Sequence, residues 1–101
     1  MITIKLNNYE CQIDNYNRNT SITEGNFSSN AYASIVNGDV NELNALIGTT
    51  ITSIEIYSNE NKIYDLQNIS AEIVSINEYL SGEQINYNIN MIFRQSENEE
   101  I

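Results

Sequence analysis

Histidine, proline and tryptophan are absent from the 101 residues, cysteine occurs once, and four lysines and arginines stand against 14 aspartates and glutamates. Each shortage removes a class of function. Without histidine there is no Ser-His-Asp or Cys-His arrangement and none of the usual imidazole zinc sites. The single cysteine, Cys11, forms no internal disulfide, and with no imidazole to lower its pKa the thiol reads as a small core side chain. Gly25, Gly38, Gly48 and Gly82 do not have the spacing of the GxGxxG or GxxxxGK[ST] phosphate loops. A formal net charge of −10 repels phosphate backbones and anionic lipid, so direct contact with nucleic acid or membrane is disfavoured. No basic, apolar, cleavable leader opens the chain and no apolar run approaches a membrane span. The expectation is a soluble protein without a secretory signal.

What the chain does have is alternation. Ile85, Tyr87, Ile89, Met91 and Phe93 interleave with Asn86, Asn88 and Asn90, and a strand points successive side chains to opposite faces. Ile69–Arg94 therefore reads as a long antiparallel hairpin turning at Gly82-Glu83, with glycine at the type II′ position that needs positive φ. That register pairs Tyr79 with Asn86, Ile76 with Ile89, Val74 with Met91, Ile73 with Ile92 and Ala71 with Arg94. It leaves Val74, Ile76 and Leu80 on the apolar face. A second hairpin is expected at the start, where a type I′ turn at Asn7-Asn8 pairs Leu6 with Tyr9, Ile4 with Cys11 and Ile2 with Ile13.

Between these ribbons, Asp14–Thr20 is rich in turn formers and reads as a loop, with a short strand at Ser21–Glu24. Asn30–Val36 fits either a helical turn or a strand. Asp39–Ile47 reads as a short helix, with Asp39 as N-cap, Glu42 three residues on and Gly48 just past the end. Thr50–Tyr57 alternates as a strand and returns through Ser58–Asn61 into Lys62–Leu66. One globular domain, residues 1–94, is expected, followed by an acidic flexible tail, 95–101. The fold class is α+β and β-rich: an antiparallel sheet or small sandwich of about six strands with one short helix, in the order ββ(β)αββββ. A half-open barrel of the same strands is the alternative, and the helix is expected to cover a sheet face.

Carboxylate chemistry finds little support. Glu72 and Glu78 fall on one face of the long hairpin but roughly 20 Å apart at strand rise, too far to share a reacting bond. In the shorter hairpin Glu55 and Asp65 can come near each other, but pairing Tyr57 with Lys62 puts Glu55 opposite Tyr64 and reads the carboxylates as exposed strand positions. Asn37, Asp39 and Asn41 have the first spacings of a calcium loop, but Glu42 stands where that loop needs glycine and Gly48 where it needs glutamate. No catalytic residue, metal site or cofactor is expected, and the chain is read as a non-enzyme.

Binding is the better expectation. Tyr16 and Arg18 stand out in the Asp14–Thr20 segment because aromatic and arginine side chains dominate interface hot spots. Tyr57, Tyr64 and Tyr79 fit exposed or half-exposed positions suited to a protein-binding face. Asn86, Asn88 and Asn90 form a polar ladder whose amides can hydrogen-bond to another copy. These eight residues are the candidate partner-binding set.

The run ITSIEIYSNENKIYDLQNISAEIVSINEYLSGEQINYNINMIFR, with the opening MITIKLNNYE, resembles small single-domain proteins encoded by bacteriophages of low-GC hosts. The resemblance implies a virion component of the tail, neck or capsid surface, working by contacts with copies of itself or with other virion proteins. A second implication is a small acidic inhibitor, similar to anti-CRISPR proteins, that imitates nucleic acid to occupy a basic host nuclease. Either places the protein in the virion or the host cytoplasm.

Overall fold

Six strands and one helix make up residues 1–94, the part of the chain that the computed structural model describes. They are β1 (Ile2–Leu6), β2 (Tyr9–Thr23), β3 (Asn26–Asn37), α1 (Val40–Leu46), β4 (Ile51–Ser58), β5 (Asn61–Ser81) and β6 (Gln84–Phe93). The expected tail, Gln95 to Ile101, lies outside the described residues. Every strand pairs antiparallel with its neighbours in the order β1-β2-β3-β6-β5-β4, and the β1–β4 ladder closes the sheet into a barrel. Closure removes the edges along the β1–β4 ladder, while β2 beyond Ile13 and β5 beyond Ala71 keep a partner on one side only. Three strands follow the helix instead of four, because Lys62–Leu66 and Ile69–Ser81 are parts of one 21-residue strand.

The hairpin at the start has the expected register, Leu6 with Tyr9, Ile4 with Cys11 and Ile2 with Ile13. Its turn differs. Only Asn7 has positive φ (55°), so the loop is not type I′, and Asn7 is held by its side chain, which donates to Thr50 O and accepts from Thr52 N at 2.8 Å. Gly82 has φ 64°, as the tight turn between Ser81 and Gln84 requires.

Inside the barrel, large side chains meet small ones across strands. Met91 faces Ala31, Ile89 faces Ala33, and Phe93 faces Ala71. This pairing of bulk with alanine is how a narrow barrel fills without voids or overlap. Ile4, Leu6, Ile35, Ile54, Ile89 and Met91 are completely buried there.

The helix closes one end of the barrel instead of covering a sheet face. β3 and β4 stand on opposite sides of the six-strand ring, so their connection must cross the opening, and α1 is that crossing. Leu43 is fully buried as the plug, with Val40 and Leu46 packed against the core. Asp39 caps the helix as expected, accepting from Asn41 N at 2.8 Å, while its own N–H donates to Tyr9 Oη. Among the described residues no helix is long and apolar enough to cross a membrane.

Three bulges overturn the remaining expectations. An extra residue in one strand turns all that follows to the other face. At Asp14 a bulge keeps Ile13 and Tyr16 both inward, and Asp14–Thr20 is not a loop: it continues β2, pairing Asn15 with Ser34 through Thr20 with Ser29. Asn30–Val36 is accordingly strand. At Ile63 the bulge sets Glu55 opposite Asp65, not Tyr64. At Val74 the long hairpin shifts: Tyr79 pairs with Asn86 and Ile76 with Ile89 as expected, but beyond the bulge Ile73 meets Met91, Glu72 meets Ile92 and Ala71 meets Phe93. Val74 is thereby turned out, 54% exposed, and Glu72 and Glu78 fall on opposite faces. Leu80, expected on the apolar face, lies opposite Ile85 at the projecting tip of the hairpin and is exposed too.

Candidate interaction surface

On the outside of β2, β3, β6 and β5 the alternating side chains line up in rows. One row runs Asn15, Ser34, Asn88, Asn77, and the next Asn17, Tyr32, Asn90, Ser75. Asn86 and Tyr79 pair beside the first row, and Asn19 and Asn30 stand beside the second. None of these twelve residues is charged. The face ends where Glu72 pairs with Arg94.

The rows are tied together by their own side chains. Tyr32 Oη donates to Asn88 Oδ1 at 2.9 Å, Asn90 Nδ2 donates to Ser75 Oγ at 3.1 Å, and the hydroxyls of Ser34 and Tyr79 lie 3.0 Å apart. Such cross-strand bonds fix rotamers, so the surface is presented already ordered. Asn86 Oδ1 is buried and accepts no hydrogen bond within the described residues.

The eight candidate residues separate into three places. Tyr79, Asn86, Asn88 and Asn90 come together on this face. Tyr16, Tyr64 and Arg18 turn inward, because the bulges at Asp14 and Ile63 reverse the side chains beyond them. The Tyr16 and Tyr64 rings lie 5.2 Å apart at 55°, with hydroxyls 3.2 Å apart, where β2 runs on beyond the short β1. Burial, then the bond to Tyr64, raises the Tyr16 pKa. Beside them Ile2, Ile13, Ile56 and Ile63 line a cleft of about 350 Å³. Arg18 packs its guanidinium 4.2 Å from the Phe93 ring centre and donates from Nε to Ser29 Oγ at 3.1 Å, a use that spends the charge inside the fold.

Tyr57 sits on the opposite wall, beside Glu55, Lys62 and Asp65. Its hydroxyl donates to Glu55, and Gln67 Nε2 bridges Glu55 and Asp65 at 3.0 and 2.7 Å. The Tyr57 and Gln67 donors hold the Glu55 carboxyl below its ordinary pKa, and the Glu55 bond raises that of Tyr57. Lys62 reaches both carboxylates at 3.5 and 3.7 Å. Every member has a partner, which describes a satisfied surface network.

Sequence reasoning missed Tyr32, Ser34, Asn15 and Asn17. The signal for Asn15 and Asn17 was present as the alternation Asn-Tyr-Asn-Arg-Asn-Thr in 15–20, which predicts a strand with one uniform amide side. Among the described residues no group of three or more histidines, cysteines, aspartates or glutamates is placed to hold a metal ion. The chain matches no protein-family model, no curated protein and no solved structure.

Proposed function

We propose that the chain is a non-enzymatic structural protein of a phage particle, in the tail, neck or capsid surface, acting through protein-protein contacts made by the outer face of β2, β3, β6 and β5. The observation that carries this reading is the absence of charge from twelve adjoining outward positions in a chain of net charge −10. Amides and hydroxyls each offer a donor and an acceptor, so a face built from them meets many polar surfaces without stranding a charge. The acidic remainder discourages other modes of approach. The phage context comes from the sequence resemblance, and the locations it implies are the particle and the host cytoplasm.

A nucleic-acid mimic would align carboxylates along a ridge. Here Glu24 and Glu83 lie at the tips of two hairpins, Asp39 and Glu42 at the helix, and Glu55, Asp65 and Glu72 beside cations. That dispersion favours the structural reading over the inhibitor.

The test is to look for the chain by mass spectrometry in gradient-purified particles from a lysed culture carrying its gene. Recovery at a fixed ratio to capsid protein, reduced by the pair Asn77→Asp and Asn88→Asp, is the expected result. A chain confined to the particle-free supernatant, with wild type and pair alike, overturns the proposal.

A further inference from the structure

Asn37 is the only asparagine of the chain that is followed by glycine. An asparagine side chain can be attacked by the next residue's main-chain nitrogen, and any side chain on that next residue crowds the approach; glycine has none. The fold leaves this pair open to the reaction. Asn37 is the exposed last residue of β3, and the β6 ladder has already ended at Ile35, so β2 alone stands beside it, next to a register shift. Among the described residues the Gly38 N–H donates no hydrogen bond, although the next N–H along, that of Asp39, donates to Tyr9 Oη. A main-chain nitrogen fixed in a ladder or a helix cannot be turned onto a side chain. Gly38 is fixed in neither.

We infer that Asn37-Gly38 is a site of self-modification, where the main chain converts the asparagine to isoaspartate and so loosens the α1 plug. Gly38 N gives up its proton to solvent and bonds to Asn37 Cγ. The Cγ–Nδ2 bond then breaks, and Nδ2 takes up a proton and leaves as ammonia, closing a five-membered imide. Water opens the ring at either carbonyl carbon. Opening at the original peptide bond sends the chain through Cγ, which is isoaspartate; opening at the new bond restores the ordinary chain with an aspartate side chain. One water is consumed and one ammonia released, with no change of oxidation state.

Either product adds a negative charge to a chain of net charge −10. Isoaspartate also lengthens the main chain by one carbon, and the joint has no slack for it. Gly38 alone separates the end of β3 from the Asp39 cap, and even a Cβ there would lie 2.7 Å from Ile35 Cγ2. The added carbon must shift Asp39, whose side chain accepts from Asn41 N at 2.8 Å and whose N–H donates to Tyr9 Oη at 3.3 Å. With that cap moves the helix that carries Leu43 into the barrel. The inference goes beyond the particle reading and does not depend on it.

Storage of the purified chain in warm buffer for several weeks, followed by peptide mapping with electron-transfer fragmentation, tests it. Asn37 is expected to lose its amide to a mixture containing isoaspartate, faster as pH rises, while the other asparagines keep theirs. Asn37→Gln, whose ring would need six members, should stay unmodified. The isoaspartate form, isolated by ion exchange, should melt at least about 8 °C below wild type. Asn37→Asp, with the same charge on an ordinary main chain, should melt within about 4 °C of wild type. Conversion at Asn37 no faster than at the other asparagines, an isoaspartate form that melts with wild type, or a loss of stability matched by Asn37→Asp overturns the inference.

Discussion

Cys11 shows how little room the interior leaves for ionisation. The thiol is buried opposite Ile4, and burial pushes its pKa from 9.0 to about 11. Between those values the unfolded chain gives up the proton and the folded one keeps it, so folding binds more protons and stability falls as pH rises. The loss should start near pH 9, be complete near pH 11, and amount to about 2–3 kcal/mol. Urea denaturation at pH 8 and pH 11 checks this: Cys11→Val should remove that part of the slope. The same thiol should resist labelling in the folded state.

Val74 and Ile73 make a sharper pair, because the sequence pattern and the bulge assign them opposite environments. Val74 is 54% exposed and Ile73 is 4% exposed. Ile73→Ala should cost about 2–5 kcal/mol, the price of a cavity against Met91. Val74→Ala should stay within about 0.5 kcal/mol. Equal costs for the two, measured by chemical denaturation, would place Val74 in the core and remove the bulge.

At the scale of the element, the helix works as a stopper held by a close backbone approach. A Cβ added at Gly38 would lie 2.7 Å from Ile35 Cγ2 and 3.3 Å from Tyr9 Oη, so the residue must be glycine for β3 to turn into the helix without displacing the core. Gly38→Ala should destabilise by about 1–3 kcal/mol through overpacking, and Leu43→Ala by about 2–5 kcal/mol through the void it leaves. Thermal melts of both variants test the plug. If Leu43→Ala melts like the wild type, the helix contributes nothing to closure.

The elements also show which parts of the architecture could be read from residues alone. The opening hairpin was legible because two asparagines sit between strands whose apolar residues keep strict alternation. The turn of the long hairpin was legible from Gly82, the residue that supplies its positive φ. Bulges were not, since an inserted residue has no compositional mark: Asp14, Ile63 and Val74 look like ordinary strand or loop residues. Their cost to the candidate site was direct. Tyr16, Arg18 and Tyr64 are half-buried, with their side chains turned to the inner side of the sheet and away from the partner-binding face expected of them, while Tyr79, Asn86, Asn88 and Asn90 were placed on a common outer face by alternation. The β3 contribution, Tyr32 and Ser34, stayed hidden because 30–36 satisfies two periods at once.

Over the whole molecule, closure depends on partners far apart in the chain. Ile2 pairs with Ser58, and Ser29 with Phe93. No local pattern announces such ladders, which is why the sequence reading favours a sheet or small sandwich and keeps only a half-open barrel as the alternative, where the structure has a closed barrel. The charge distribution is likewise a property of the assembled barrel: dispersed in the sequence, the carboxylates leave one broad side of the folded surface empty.

The 21-residue β5 belongs to two ladders, serving β4 with its first half and β6 with its second, and Ala71 touches both. A chain wired this way has no seam along which heat can separate one part from the rest. Melting should be all-or-none, with calorimetric and van't Hoff enthalpies in agreement.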